Sequence, residues 1–312
     1  MHHVSVSHWW REEFNGGTIS EIIKGRGGSH AQTPSTIQII RDPQAFAARF
    51  LTSMASLRKI ILSACGAIVI STMVVVKALP AGAAEPASSS GKALLDKYTG
   101  IKGEFEKNQF ALPIYIESEV KGDFLRGDVY GVVNYPFDSL GDSLQLPANW
   151  CSITTLHLNT KACTFRKVDD LYQLTLYIGR KYYQPPDETH KLKFKFRIVA
   201  KTPEYFNIVL TADKGPFFTW DYWIGLEAAS LDTSRTFIHF SYSYRYGMLA
   251  RILMSSYFAT AGSDKIGFSI VSASEKGNPV YVSGVRGALE RNTVRYYLGL
   301  LAYLDTLKFP AD

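Results

Sequence analysis

The sequence is poor in the features that usually identify metal enzymes and membrane-embedded proteins. It has only 3 cysteines and 7 histidines in 312 residues, and none of the three histidines beyond residue 84 has the spacing of a metal ligand. Only one uncharged run, residues 60–76, is long enough to enter a membrane. We find no catalytic motif, and we expect neither a metal nor another cofactor.

Positive charge is also scarce outside the first quarter of the chain. The formal net charge is +6, but residues 1–84 hold eight of the 34 basic and four of the 28 acidic residues, which leaves residues 85–312 at about +2. A nucleic-acid-binding protein normally concentrates basic residues on its folded domain. The distribution therefore argues against a nucleic-acid partner, while an apolar content of 46 % argues against disorder in the main body.

Residues 54–84 have the organisation of a secretory signal peptide. Met54 is followed by the basic pair Arg58 and Lys59, by the uncharged run 60–76 and by a small-residue stretch that suits cleavage near Ala84. We predict a secreted or periplasmic protein, and a membrane anchor formed by residues 60–76 is the alternative. Because a signal belongs at an N-terminus, residues 1–53 are interpreted as an over-extended reading frame or a disordered segment, with translation starting at Met54.

Two cysteines remain once the signal is removed. Cys151 and Cys163 lie 12 residues apart, and an even number of cysteines in an oxidising compartment favours a disulfide. A nucleophilic Cys151 served by His157 is the rival interpretation, but it needs a third group to orient the histidine. We predict the disulfide.

Alternation of apolar and polar residues predicts an antiparallel sheet in the main body. Residues 85–110 are predicted to form a linker and an N-terminal helix. Beyond them, a period of two over many residues indicates half-buried antiparallel strands. Strands are expected at residues 124–134, 171–179, 193–200, 205–211, 218–228 and 236–246. Helices are expected at residues 138–146 and 248–261, after which residues 265–271 are expected to resume the sheet.

The chain is predicted to close with a long helix. Residues 285–307 contain no proline, and Leu289, Tyr296, Leu300 and Leu304 form a broad apolar stripe. The predicted fold class is therefore α+β, a curved antiparallel sheet gripping a long C-terminal helix (the helix-grip arrangement), preceded by a secretory signal.

With this element order, residues 125–307 resemble the START/Bet v 1-like superfamily. The resemblance rests on a strand, Pro136 and Phe137 leading into a short helix, Trp150 at a corner, successive hairpins, and the segment GALERN at residues 287–292. It implies a START-like domain over residues 111–312 with a hydrophobic cavity between sheet and terminal helix, which relatives use for lipids, sterols or polyketides. The expected helix at residues 248–261 departs from the simple pattern.

Even-numbered residues on the late strands are expected to face the terminal helix, and their odd-numbered neighbours to face water. Tyrosine on the inward side is compatible with a packed core or with a cavity, because a buried hydroxyl needs a polar partner. His157, His190 and His239 are expected to be solvated. The residues proposed to contact a ligand are Trp220, Tyr222, Phe240, Tyr242, Tyr244, Arg295 and Tyr296.

Three hypotheses follow for the function. The first is a secreted protein that holds a hydrophobic small molecule or lipid, with possible contact to a membrane surface through basic residues between 191 and 201. The second is a cyclase- or hydrolase-like enzyme of the same fold that uses Glu290 or Asp221 as its acid or base. The third is a structural or interaction module with a filled core. We favour the first, a binding protein rather than an enzyme.

Overall fold

The computed structural model describes residues 87–260, 262–263 and 265–308. Every described residue belongs to one compact unit, residues 84–312. The predicted signal peptide, the alternative anchor and the proposed start at Met54 lie outside the described residues. Within these residues, no helix is both long enough and apolar enough to cross a membrane.

The described unit is α+β, as predicted. Its helices are α1 (Ala87–Ile101), α2 (Phe137–Leu144), α3 (Pro147–Thr155), α4 (Met248–Ala259) and α5 (Gly284–Thr306), with short 3-10 helices at Lys102–Glu104 and Pro186–Glu188. Its strands are β1 (Ile114–Lys121), β2 (Phe124–Val133), β3 (Thr160–Val168), β4 (Leu171–Ile178), β5 (His190–Lys201), β6 (Tyr205–Lys214), β7 (Thr219–Ser230), β8 (Thr236–Tyr246), β9 (Ile270–Ala273) and β10 (Pro279–Tyr281).

Eight of these strands form one curved antiparallel sheet in the order β1-β2-β8-β7-β6-β5-β4-β3. Two of its strands, β1 and β3, were not predicted. Strands β9 and β10 pair only with each other, so the prediction that residues 265–271 resume the main sheet is wrong. Pro147 begins α3, the helix that follows α2. Proline is well suited to a first helical turn, because the N–H that it lacks would have no partner within the helix there.

Helix α5 packs against one side of the sheet, which we call the inner face. Its approach is close at β2, where Gly127 and Gly131 carry no side chain. A Cβ on Gly127 would collide with the Thr293 hydroxyl, and one on Gly131 with the hydroxyl of Tyr297. These glycines let α5 lie directly on the sheet, which gives the predicted helix-grip arrangement.

Helix α1 covers the other side of the sheet, the outer face. Leu94 and Ile101 of α1 and Phe105 pack with Tyr130 and Phe237 in one buried cluster. The prediction that odd-numbered residues on the late strands meet water is therefore wrong where α1 lies, and Phe237 has no exposed surface. The basic residues of β5 remain exposed as predicted.

A disulfide joins α3 to β3. Cys151 and Cys163 are bonded, with their Cα atoms 5.2 Å apart. The predicted disulfide is thus confirmed. The sulfur of Cys151 is bonded to that of Cys163, so it is not the free thiol that the rival interpretation requires. The bond ties the corner that follows α2 to the edge strand of the main sheet.

Candidate functional site

An aromatic cluster lies between the inner face and α5. Ring centroids of Tyr242 and Phe240 lie 5.5 and 6.2 Å from that of Tyr296 on α5. Tyr222 and Tyr244 extend the cluster, with centroids 5.2 Å apart and stacked rings. The even-numbered residues of β8 therefore face α5 as expected. That these side chains contact a ligand stays a prediction.

The tyrosines of this cluster are buried but not completely enclosed. Tyr222, Tyr242, Tyr244 and Tyr296 are 7–9 % exposed, whereas Phe240 beside them is 1 % exposed. The Tyr222 hydroxyl lies 2.8 Å from Oγ1 of Thr219. Burial raises the pKa of each of the four phenols, so all four are neutral donors at physiological pH. The cluster thus combines apolar ring surface with polar hydroxyls.

A buried histidine closes one end of the cluster. His157 is 5 % exposed, and its ring stacks on Tyr296 with centroids 4.3 Å apart. Burial, and to a smaller extent the charge of Arg295, lowers its pKa to about 3, so the imidazole is neutral. The expectation that His157 is solvated is wrong, because α3 turns the chain beneath α5 just before it.

Two enclosed polar atoms at this end, Nε2 of His157 and Oγ1 of Thr160, make no hydrogen bond of normal distance and angle among the described residues. The Asn292 side chain interacts more weakly with His157, and the Tyr296 hydroxyl with Thr160. The backbone N–H of Asn159 donates to Nδ1 of His157 at 3.3 Å, which leaves the proton on Nε2. Buried polar atoms normally have a partner. This end of the cluster can therefore take a hydrogen bond from something that is not part of the chain.

The predicted site residues on α5 and β7 are placed unequally. Arg295 is half-buried near His157, and its guanidinium donates to the Asn292 side chain at 3.2 Å. The pairing of β7 with β8 shifts register between Trp220 and Trp223, so that Trp220 lies opposite Arg245. In the pairing with β6, Trp220 keeps the parity of Tyr222 and lies opposite Lys214. That Trp220 belongs to the cluster stays a prediction.

Neither carboxylate proposed for catalysis lines the cluster. Glu290 is fully buried, but its carboxylate accepts hydrogen bonds from the hydroxyl of Ser118 and from the backbone N–H groups of Phe268 and Ser269. It fixes the segment after α4 to α5 and β1. The Asp221 side chain is 61 % exposed and lies 3.5 Å from the Arg245 guanidinium. The enzyme hypothesis thus loses both nominated acids.

A second buried polar group lies on the outer face, where sequence reasoning placed a solvated histidine. His239 is 6 % exposed, with Nδ1 2.8 Å from Oε2 of Glu227 and Nε2 2.7 Å from Oδ1 of Asp128. Arg126 donates to both oxygens of Asp128, and the Tyr205 hydroxyl donates to Glu227. Because the three residues come from neighbouring strands far apart in sequence, no local motif could reveal them.

The surface also has an open groove of about 1040 Å³ at the β1 edge of the sheet. Charged and polar side chains dominate its lining, including Glu117, Glu119, Arg126 and Arg286. An apolar ligand gains little from such a surface. In the described part of the chain, no group of three or more histidine, cysteine, aspartate or glutamate side chains is arranged to hold a metal.

No protein-family profile and no curated protein matches the sequence. Among solved structures, human StAR-related lipid transfer protein 5 matches over 72 % of this chain and 98 % of its own, at 9 % identity and a TM-score of 0.39. The Zhui aromatase/cyclase from Streptomyces sp. R1128 matches over 45 % and 87 %, at 10 % identity and a TM-score of 0.31. Norcoclaurine synthase from Thalictrum flavum matches over 47 % and 91 %, at 11 % identity and a TM-score of 0.33.

Each match is a likeness at low identity to a START or Bet v 1-like structure, the group that the element order also resembles. At such TM-scores they support no conclusion about ligand or activity. What the chain binds has to be argued from its own side chains.

Proposed function

We propose that the protein binds a hydrophobic small molecule or lipid between the inner face of the sheet and α5. The observation that carries this proposal is the inward-facing set Tyr222, Tyr242, Tyr244 and Tyr296, which packs ring to ring and still has accessible surface. A core that only has to be filled is better served by rings without hydroxyls, because a buried tyrosine hydroxyl needs a polar partner.

The proposed binding energy comes from removing apolar area from water. Burial contributes about 25 cal/mol per Å² of apolar surface, less the cost of immobilising the ligand. Ring faces of Tyr242 and Tyr296 and the side chain of Phe240 supply the apolar contact.

The polar end of the cluster is proposed to orient the ligand. His157 is held neutral, and its Nε2 and the Thr160 hydroxyl make no hydrogen bond of normal distance and angle among the described residues. A ligand with an oxygen at one end of an apolar skeleton satisfies both groups. We therefore propose a hydrophobic compound with one oxygen-bearing polar end, such as a fatty acid, fatty alcohol or sterol, as the ligand class.

The first experiment measures what the protein carries. Native mass spectrometry of the purified full chain is expected to show a bound apolar compound that organic extraction removes. The extracted protein is then titrated with two fluorescent probes, cis-parinaric acid and dehydroergosterol. We expect saturable binding of at least one probe at one site per chain.

Variants of the cluster locate this site. Tyr296→Phe and Tyr242→Phe remove only hydroxyls, and each is expected to weaken probe binding by up to about ten-fold, the value of one hydrogen bond. Tyr130→Phe makes the same change in a buried tyrosine of the outer face and should bind normally. A protein that carries nothing, binds neither probe, or binds equally well in all variants would refute the proposal.

Export remains part of the proposal. The confirmed disulfide between Cys151 and Cys163 supports an oxidising compartment, such as the periplasm or the exterior. N-terminal sequencing of the native product is expected to begin at residue 84 or 85. A product that keeps residues 60–76 would favour the membrane-anchored alternative.

A further inference from the structure

Large apolar side chains protrude at one end of the sheet. Phe217 and Phe218, in the turn between β6 and β7, are 59 % and 65 % exposed, and Met248 at the start of α4 is 80 % exposed. Tyr182 and Tyr183, in the loop between β4 and β5, are 62 % and 87 % exposed. We call these five residues the apolar tip.

Contacts place these segments beside one another. The Gly247 N–H, directly before α4, donates to the carbonyl of Phe218 at 3.1 Å. The ring of Phe217 lies edge-on to that of His190 with centroids 4.7 Å apart. His190 begins β5 opposite Ile178, the last residue of β4, so Tyr182 and Tyr183 lie in the loop at this same end. The apolar tip is one surface built from three segments.

The two phenylalanines have an unfavourable backbone conformation as well as exposed rings. Phe217 has a φ of 56° and Phe218 a φ of 60°, the left-handed region that glycine and asparagine adopt most readily. Folding alone would be better served by a small or polar residue at both positions. Phenylalanine here costs stability and leaves more than half of each side chain exposed within the described chain, which points to a contact outside it.

Helix α4 continues the same surface. Of its 12 residues only Ala250 is buried, and Arg251 is its only charged residue. Ile252 and Tyr257 are 48 % and 43 % exposed. An apolar helix with so little buried surface leaves much of its hydrophobic side chain area without a partner in the described chain.

Positive charge surrounds the apolar tip. Arg180 and Lys181 directly precede Tyr182, Lys214 lies just before the turn that holds Phe217, and Arg251 lies one helical turn after Gly247. Lys191 follows His190 on β5, and its side chain is exposed. The acidic residues at this end are Asp187 and Glu188 in the β4–β5 loop, Asp213, which is paired with Lys195 at 2.9 Å, and Asp123 and Asp221, which are both paired with Arg245.

We propose that the apolar tip and α4 form a docking surface for a lipid bilayer that contains anionic lipids. Phenylalanine, tyrosine and methionine side chains enter the interfacial region, where amphipathic aromatic rings are favoured. The basic side chains contact lipid phosphates, whose charge is complementary. Separate loop tips that project from three segments suit a fluid surface that adapts to them, whereas a folded partner would require a continuous complementary face. This inference goes beyond the proposed ligand site and does not depend on it.

The test is sedimentation of the purified full chain with lipid vesicles. We expect binding to vesicles of phosphatidylcholine with about 30 % phosphatidylglycerol to be at least about ten-fold stronger than binding to phosphatidylcholine alone. Raising the salt concentration to about 0.5 M should weaken it, because charge contacts at a surface are screened. The proposal would be overturned if the protein bound neither kind of vesicle, or if it bound both kinds equally well.

A double variant separates docking from folding. Phe217→Asn with Phe218→Asn replaces both rings by a residue that accepts the left-handed conformation, so thermal stability should be unchanged or higher. Vesicle binding is expected to fall about ten-fold or more. Phe165→Asn, at a 47 % exposed phenylalanine on β3, is the matched control and should bind like the unchanged protein.

Two further results would show that the apolar tip has a different role. If the Asn double variant binds vesicles normally, the apolar tip is not the docking surface. If the chain forms a dimer in solution that the double variant abolishes, the occupant is a second copy and the bilayer proposal is wrong. Tyr296→Phe should still bind vesicles, so failure of the interior ligand site would not be mistaken for failure of docking.

Discussion

At the scale of single residues, the pKa values of the two buried histidines are shifted in opposite directions. His239 lies between the carboxylates of Asp128 and Glu227, and its ring stacks on Tyr130 with centroids 4.3 Å apart. Burial by itself would lower its pKa, but the hydrogen bonds to both carboxylates outweigh burial and raise the pKa above its usual 6.5. His157 has no carboxylate beside it, so burial dominates and its pKa falls.

The first prediction concerns His239 at alkaline pH. Its raised pKa means that its stabilising contribution is complete below about pH 6.5 and is lost as the pH rises through the higher folded-state value. We expect the free energy of unfolding, measured by urea denaturation, to decrease from pH 6.5 to 9 in the unchanged protein. His239→Gln should show a much weaker decrease over the same range.

The exposed histidine provides the control. His190→Gln should keep the pH dependence of the unchanged protein, since His190 lies on the surface. Burial would raise the pKa of Asp128 and Glu227, but hydrogen bonds to His239 reverse this and lower both. Their contribution is therefore lost at the acid end, as the pH falls below about 4. Equal alkaline slopes in all three proteins would contradict the assignment.

The second prediction concerns His157 at acid pH. Its folded-state pKa of about 3 lies well below its usual 6.5, so the unfolded chain binds the extra proton between these values. Stability should fall as the pH drops below about 6.5, by up to about 1.4 kcal/mol per pH unit. His157→Phe keeps a ring against Tyr296 and should flatten urea-denaturation free energies between pH 4 and 6, whereas His190→Phe should not. Parallel curves for all three would rule out a buried neutral imidazole.

At the scale of elements, the contact between β2 and α5 sets the distance between the sheet and the helix. Tyr297 of α5 is fully buried, and its hydroxyl has no hydrogen-bond partner among the described residues. It lies directly over the Cα of Gly131. A larger residue in place of Gly131 or Tyr297 would move α5, and α5 forms one side of the proposed ligand site.

The third prediction uses this contact. Gly131→Ala places a methyl group against the Tyr297 hydroxyl and should destabilise the protein by about 1–3 kcal/mol, the usual cost of overpacking. Gly100→Ala is the control, because a Cβ at this α1 position meets nothing within 4 Å and should be neutral or slightly stabilising. Adding Tyr297→Phe to Gly131→Ala should restore part of the loss in thermal unfolding. No rescue would show that the hydroxyl is not the obstacle.

At the scale of the whole described unit, the sequence predicted the elements better than it predicted what covers them. Strict alternation identified β8 and the inward direction of Tyr242, because a period of two fixes which residues share a face. At Trp220 a register shift interrupts the pairing with β8, so alternation alone does not fix the side on which this residue lies. Alternation failed at His157 and His239, because α5 covers the first and α1 covers the face that carries the second, and both helices are distant in sequence. Which element covers a face of the sheet depends on tertiary packing, and local periodicity carries no information about it.

The same argument gives the fourth prediction, that the α1 layer is part of the cooperative fold. Phe237 on the outer face has its ring centroid 5.1 Å from that of Tyr98 on α1 and 6.1 Å from that of Phe105. Phe237→Ala should therefore cost about 3–5 kcal/mol, like Phe240→Ala on the inner face, because both remove a fully buried ring. If α1 were only an appendage, Phe237→Ala would leave the main unfolding transition in place and add an earlier one. We expect instead that each variant unfolds in a single transition at a lower temperature, with far-UV circular dichroism and tryptophan fluorescence changing together. The sheet is packed on both faces, so loss of the helix on one face would expose the apolar side chains beneath it.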